Sequence, residues 1–150
     1  MKAVIQRVTR ASVVVDGIEH NSIGPGFLVL LGVHRDDSQD DIDWIVRKIV
    51  GLRVLEDSNG QMNESLKSKG GEILLISQFT LIASNRKGNR PSFNEAANPE
   101  KADEYYSKVA VALSEALDNS VKTGVFGANM HVSLVNDGPV TILFDTRKKE

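Results

Sequence analysis

The sequence predicts an α+β domain with helices layered on sheet, on three observations. Stretches rich in β-branched residues open and close the chain, two segments between them carry apolar residues at helical spacing, and each of those follows an apolar strand pattern. The resulting order is two strands, two strand-helix units and three closing strands, within one domain spanning residues 1–150.

Met1 to Val15 reads as the first strand, and Asp16-Gly17 between Val15 and Ile18 is a two-residue hairpin signal leading into the second. After the Gly24-Pro25-Gly26 break, Phe27 to Val33 is continuously apolar, as expected of a strand covered on both faces. Ser38 is placed to cap a helix in which Ile42, Ile45, Val46, Ile49 and Val50 form one apolar stripe, with Asp40, Asp41 and Asp43 near its positive end. Leu52 to Leu55 is a short strand, Asp57 to Gly60 a turn, and Glu72 to Ile82 a long apolar strand following Gly70-Gly71. The polar segment Ala83 to Asn98 has no periodicity and reads as a surface loop.

Asn98-Pro99 supplies a cap and a first-turn proline for a second helix, whose stripe runs through Ala102, Tyr105, Tyr106, Val109, Leu113, Ala116 and Leu117. Val121 to Phe126, Met130 to Asn136 and Val140 to Asp145 are the closing strands, with Asp137-Gly138 marking a hairpin between the last two. A free edge in so strand-rich a chain invites covering or pairing, which makes a dimer plausible.

Composition narrows the chemistry. With 18 basic against 20 acidic side chains the formal charge is -2, so no global field draws the chain to nucleic acid and any RNA contact must be local. The absence of cysteine removes disulfides, thiol nucleophiles and thiolate zinc sites, and His20, His34 and His131 show no ligand spacing, so no metal site is expected. The longest aliphatic run, Phe27 to Leu31, is far short of the ~20 residues of a membrane span, and the N-terminus lacks an apolar signal region, which makes the cytoplasm the expected location.

No G-x-S-x-G elbow or other recognisable triad context is present. Instead the apolar run Ile73 to Ile76 suddenly acquires polar groups at Ser77, Gln78 and Thr80, around Phe79. In a regular strand Ser77 and Phe79 share one face and Gln78 and Thr80 the other. On local pattern alone, satisfying backbone groups is the commoner role for such hydroxyls. Pro139 has no N–H for a ladder bond, which can leave nearby carbonyls free for another partner, although an ordinary trans turn is the default. Arg7, in phase with Ala3 and Ile5, needs acceptors if it points inward, and carbonyls at Gly138 and Pro139 would suit; an edge-strand arginine reaching solvent is the common alternative. Phe126 and Met130 fit a pocket wall or an ordinary core equally well. Arg86, Lys87 and Arg90 lie together in a polar loop and, with the smaller tail Arg147 to Lys149, are the candidate phosphate contacts, although short basic loops are usually only solvated.

Ser77-Gln78-Phe79-Thr80-Leu81 together with Asn136-Asp137-Gly138-Pro139-Val140-Thr141, and Gln6-Arg7-Val8 near the start, resemble the D-aminoacyl-tRNA deacylase family along the whole chain. The resemblance implies sheets arranged as a sandwich or partial barrel with two main helices outside. It implies hydrolysis of the ester between tRNA and a D-amino acid or a mischarged glycine, with L-aminoacyl-tRNA rejected and no cofactor. It further implies a homodimer with active sites at the subunit interface, each joining Ser77, Gln78, Phe79 and Thr80 of one subunit to a cis Gly138-Pro139 turn of the other. Arg7 would lock that turn, the turn's carbonyls would hold the substrate's α-amino group, and Phe126 and Met130 would lie where a D side chain projects. N–H groups at Phe79 and Thr80 would stabilise the oxyanion, with the ribose 2'-hydroxyl assisting rather than Thr80 acting as nucleophile. The competing reading from another class is a non-catalytic RNA-binding module of translation; a small esterase acting on free esters is a third.

Overall fold

The computed structural model describes residues 1–150. Its first strand, β1 (Lys2–Val15), pairs antiparallel with β2 (Ile18–Ile23) over its second half and with β3 (Gly26–Gly32) over its first half. The expected Asp16-Gly17 turn joins β1 to β2, with both residues at positive φ. Beyond β3 the sheet continues in parallel through β6 (Glu72–Ser77) to the short β7 (Lys122–Thr123). The far ends of this sheet meet through side chains. Asn21 Nδ2 donates to the Thr123 carbonyl at 2.7 Å and Lys122 Nζ to the Ser22 carbonyl at 2.9 Å, which draws β2 toward β7 and nearly closes a barrel.

Helices α1 (Gln39–Val50) and α3 (Pro99–Leu117) cover one face, starting where Ser38 and Asn98 place them. The Asp41 carboxylate accepts the Ser38 N–H at 2.9 Å, and Asn98 Oδ1 accepts the Lys101 N–H at 2.8 Å, so each helix start has an orphan donor satisfied. Ile42, Ile45 and Ile49 of α1 and Tyr106, Val109 and Leu113 of α3 pack with Ile5, Phe27, Val29 and Leu75 into the larger core. A second core fills the barrel with Val8, Ala11, Val13, Leu28, Leu74 and Ile76. Between the two helices, β4 (Leu55–Glu56) and β5 (Met62–Glu64) form a small antiparallel pair around the turn at Asp57 to Gly60, followed by the single-turn α2 (Leu66–Lys69). No helix is long and apolar enough to cross a membrane.

Four sequence expectations are corrected, the first being the short strand expected over Leu52 to Leu55, of which only Leu55 is in a strand. The strand expected over 72–82 stops at Ser77, and residues 79–82 form a 3₁₀ turn. Gly32 permits this, because a Cβ there would meet the Gln78 carbonyl oxygen at 2.9 Å and Leu81 Cβ at 3.0 Å. The strand expected at Val121 to Phe126 is reduced to two residues. The hairpin expected at Asp137-Gly138 does not form. Residues 130–145 are one strand, β8 (Met130–Asp145), antiparallel to β1 on both sides of the Gly138-Pro139 segment, which is an excursion within it. β1 is long enough to pair with both halves of β8, so the chain resumes its direction after the excursion instead of reversing.

β8 pairs only with β1, leaving its other edge without a strand in this chain. Val135 and Leu143 on β8 are 41% and 73% exposed.

Candidate active site

Where β6 ends, the 3₁₀ turn, the start of α3 and the approach to β8 enclose a cavity of about 580 Å³. Ser77, Gln78, Phe79, Phe126 and Met130 all line it, so five of the residues singled out in the sequence converge from segments some fifty residues apart. Most of the remaining lining is apolar and includes Phe93, Ala102 and Tyr106. A cavity of this volume, apolar with a few polar groups at one side, has the character of a small-molecule site.

The turn changes what the polar residues can do. Strand alternation would place Gln78 and Thr80 on the face away from Ser77, but Gln78 leaves the strand with φ -145° and ψ 77°, and the Gln78 amide then hydrogen-bonds the Thr80 hydroxyl. Thr80 itself is exposed and does not line the cavity, while Phe79, 55% exposed, stands at its mouth with its ring edge-on to Phe93 at 5.0 Å between centroids. The Leu81 N–H is the first to bond back, to the Gln78 carbonyl at 3.2 Å. The turn itself therefore provides no acceptor for the N–H groups of Phe79 and Thr80.

Tyr106 was legible in the sequence only as part of the α3 stripe. Its hydroxyl donates to the Leu75 carbonyl at 2.7 Å, an acceptor shared with the Gly124 N–H at 3.2 Å, and so ties α3 to the strand that ends in Ser77. Burial pushes its pKa up to about 12, which keeps it a neutral donor. The sequence signal was a tyrosine among aliphatic stripe residues, whose hydroxyl needs a partner when buried.

Arg7, Gly138 and Pro139 lie elsewhere. The Gly138-Pro139 peptide is cis. Arg7 is buried and points inward, donating from Nε to the Asp137 carbonyl at 2.9 Å and from Nη1 to the Val54 carbonyl at 2.8 Å. Its Nη2 lies 3.9 Å from Glu56 Oε1. The acceptors expected from sequence, the Gly138 and Pro139 carbonyls, are thus replaced by those of Asp137 and Val54. The guanidinium grips the peptide that enters the excursion, and the next two carbonyls accept from no side chain of this chain. Between the paired positions Asn136 and Thr141 no β8 residue has a partner on β1, and Asp137, Gly138 and Pro139 are exposed.

Strand register fixes how far this segment is from the cavity. Arg7 sits in the row of Phe27 and Ile73, whereas Ser77 sits in the row of Leu31, Ala3 and Phe144. Four residues along the strands and three strands across correspond to a path of roughly 20 Å along the sheet at ordinary spacings. The two conspicuous motifs are therefore not brought together within one chain.

Arg86, Lys87 and Arg90 are all exposed in a loop whose base is closed by paired hydrogen bonds between Ser84 and Ser92, at 2.8 and 2.9 Å. Arg147 is exposed as well, with its Nη2 lying 2.8 Å from His34 Nδ1.

Comparison with known proteins agrees with this architecture. Residues 4–145 match the model of the D-Tyr-tRNA(Tyr) deacylase family. A D-aminoacyl-tRNA deacylase of Bacteroides thetaiotaomicron is 53% identical over 150 residues, covering 100% of both chains. One of Kosmotoga olearia is 54% identical over 149 residues, 99% of each. Among solved structures, a c-Myc DNA unwinding element binding protein superposes with a TM-score of 0.92 at 45% identity, covering 97% of this chain and 99% of that one. A probable eukaryotic D-amino acid tRNA deacylase shares the fold, with a TM-score of 0.82 at 17% identity over 95% of this chain and 97% of that one. On the match of the family model across nearly its whole length, the chain belongs to the D-Tyr-tRNA(Tyr) deacylase family.

Proposed function

We propose that the protein hydrolyses the ester that joins a D-amino acid to tRNA, releasing both, and leaves L-aminoacyl-tRNA intact. It acts as a homodimer in which the Gly138-Pro139 segment of one protomer closes the cavity of the other. The observation that carries this reading is the pair of free carbonyls at Gly138 and Pro139 on an edge strand, next to the Asp137 carbonyl that Arg7 holds, yet roughly 20 Å along the sheet from the Ser77 to Thr80 turn of the same chain. A second copy brings them into range, and the unpaired edge of β8 with exposed Leu143 offers a surface for it.

In that assembly the apolar cavity takes the terminal adenosine, oriented by Ser77 and Gln78. The ester carbonyl lies against the N–H groups of Phe79 and Thr80, which stabilise the oxyanion formed when water attacks. The ribose 2'-hydroxyl of the substrate assists proton movement, so no side-chain nucleophile is required. The clamp's carbonyls accept hydrogen bonds from the α-ammonium group. With ammonium and ester both pinned, an L side chain is driven into the clamp, whereas a D side chain projects toward Phe126, Met130 and solvent. Glycine has no side chain to exclude, so glycyl-tRNA is also a substrate. Arg86, Lys87 and Arg90 contact the tRNA backbone. The chain works as one domain in the cytoplasm, where charged tRNA is found.

Incubation with D-Tyr-tRNA, L-Tyr-tRNA and Gly-tRNA tests the reading: the first and third lose their amino acid and the second keeps it. A non-catalytic RNA-binding module leaves all three esters intact. A general esterase splits small esters without RNA and is not inhibited by deacylated tRNA.

A further inference from the structure

We propose that Asn136 is a positioning residue for chiral selection, its side-chain amide setting the direction in which the Gly138 and Pro139 carbonyls point. The inference rests on the clamp reading above. Arg7 holds only the entering limb of the excursion, through the Asp137 carbonyl. On the returning limb, Val140 has no paired residue on β1, whose ladder resumes only at Thr141.

Asn136 holds it instead. Its Oδ1 accepts the Val140 N–H at 2.8 Å, while its Nδ2 donates to the Val140 carbonyl at 3.3 Å and to Thr141 Oγ1 at 3.1 Å. One amide thus takes over both backbone groups of the residue that follows Pro139 and fastens them to the residue that precedes the excursion. An amide is suited to this, since the site requires an acceptor and donors on one short side chain. The two side chains divide the task, Arg7 fixing where the excursion starts and Asn136 where it ends. Carbonyls lying between two anchored points keep their direction; with one anchor removed they swing. The consequence is a loss of discrimination more than a loss of fold, because Asn136 is only half-buried and the β8 ladder on either side is intact.

The test compares Asn136→Ala and Asn136→Asp with the unmodified protein, using single-turnover deacylation of D-Tyr-tRNA and L-Tyr-tRNA together with thermal melting. Asn136→Ala is expected to lower the D-to-L rate ratio by about 10-fold or more, while the melting midpoint moves by only a few degrees. Asn136→Asp keeps the acceptor for the Val140 N–H and is expected to recover part of the ratio. If Asn136→Ala does not fold, the aspartate variant decides, with a loss in the ratio of more than about 2-fold and less than about 10-fold expected. A ratio unchanged within about 2-fold in the folded variants, or D and L rates falling in equal proportion, overturns the proposal. Failure of the unmodified protein to deacylate D-Tyr-tRNA would instead overturn the function itself.

Discussion

Arg7 Nε lies 2.9 Å from the carbonyl oxygen of Asp137, a residue 130 positions away, and the same guanidinium reaches the Val54 carbonyl at 2.8 Å. One planar side chain therefore fastens the Gly138-Pro139 excursion to the segment entering the β4–β5 pair. A lysine has the charge but not the fork: its donors radiate from a single nitrogen and do not occupy the separate Nε and Nη1 positions from which Arg7 reaches the two carbonyls. Arg7→Lys is expected to lower the D-to-L rate ratio at least as much as loss of the Asn136 amide. Arg7→Ala leaves both carbonyls without their donor and should cost about 2–4 kcal/mol in urea unfolding. A stability change below about 0.5 kcal/mol would mean that the guanidinium is dispensable to the clamp.

Thr80 is exposed and its hydroxyl is engaged by the Gln78 amide, while its main-chain N–H is a free donor of the turn. Replacement by valine removes the hydroxyl and leaves the N–H in place. Single-turnover deacylation of D-Tyr-tRNA by Thr80→Val should stay within about 10-fold of the unmodified rate, since a group that only orients contributes far less than a covalent nucleophile. A loss of about a thousand-fold or more would assign Thr80 the bond-forming role.

Much of this architecture is legible in local sequence, and what is not has a common cause. The starts of α1 at Ser38 and α3 at Asn98-Pro99 are visible because capping and periodicity are written in adjacent residues. The Asp137-Gly138 dipeptide misleads because its meaning depends on β1, a strand more than 120 residues earlier that pairs on both sides of the excursion. The end of β6 is hidden because Leu81 and Ile82 continue the apolar run, and what breaks the strand is packing of the turn against Gly32. At the candidate site, the motifs name Ser77 and Phe79. The family resemblance adds Phe126 and Met130, but nothing local discloses that Tyr106 shares their cavity, because only the packing of α3 on the sheet brings those segments together.

His34 gives the molecule a pH dependence separate from catalysis. It is buried, with Arg147 against Nδ1, and both burial and that guanidinium hold its pKa below the ordinary 6.5, in spite of nearby Asp36 and Asp37. A depressed histidine binds its proton more readily when unfolded. The stability it contributes is therefore fully present above pH 6.5 and is lost as the pH falls through that value toward the lower folded-state pKa. The urea midpoint should be lower at pH 5.5 than at pH 7.5, and His34→Gln should flatten that difference. An unchanged pH dependence in His34→Gln would place the titrating group elsewhere.

The exposed loop at Arg86, Lys87 and Arg90 presents three cations with no acidic partner among the ion pairs of the chain. If each neutralises one phosphate, replacing all three by glutamine should reduce the slope of log affinity for tRNA against log salt by about 2 to 3. An unchanged slope would exclude the loop from the tRNA contact.

The origin of the clamp is tested most directly by complementation between two impaired proteins. Gly138→Val damages the clamp alone, since a Cβ at this positive-φ position meets Val140 Cγ2 at 2.9 Å and Arg7 Nη2 at 3.1 Å. Ala128→Phe fills the cavity alone, adding a ring to a residue that lines it. Each homodimer should be inactive on D-Tyr-tRNA. When the two proteins are co-expressed and the mixed dimer is isolated, one site combines an open cavity with an intact clamp from the neighbouring subunit, and deacylation should return to about half the unmodified rate per dimer. A mixed dimer as inactive as its parents would show that each clamp serves its own subunit, contradicting the account.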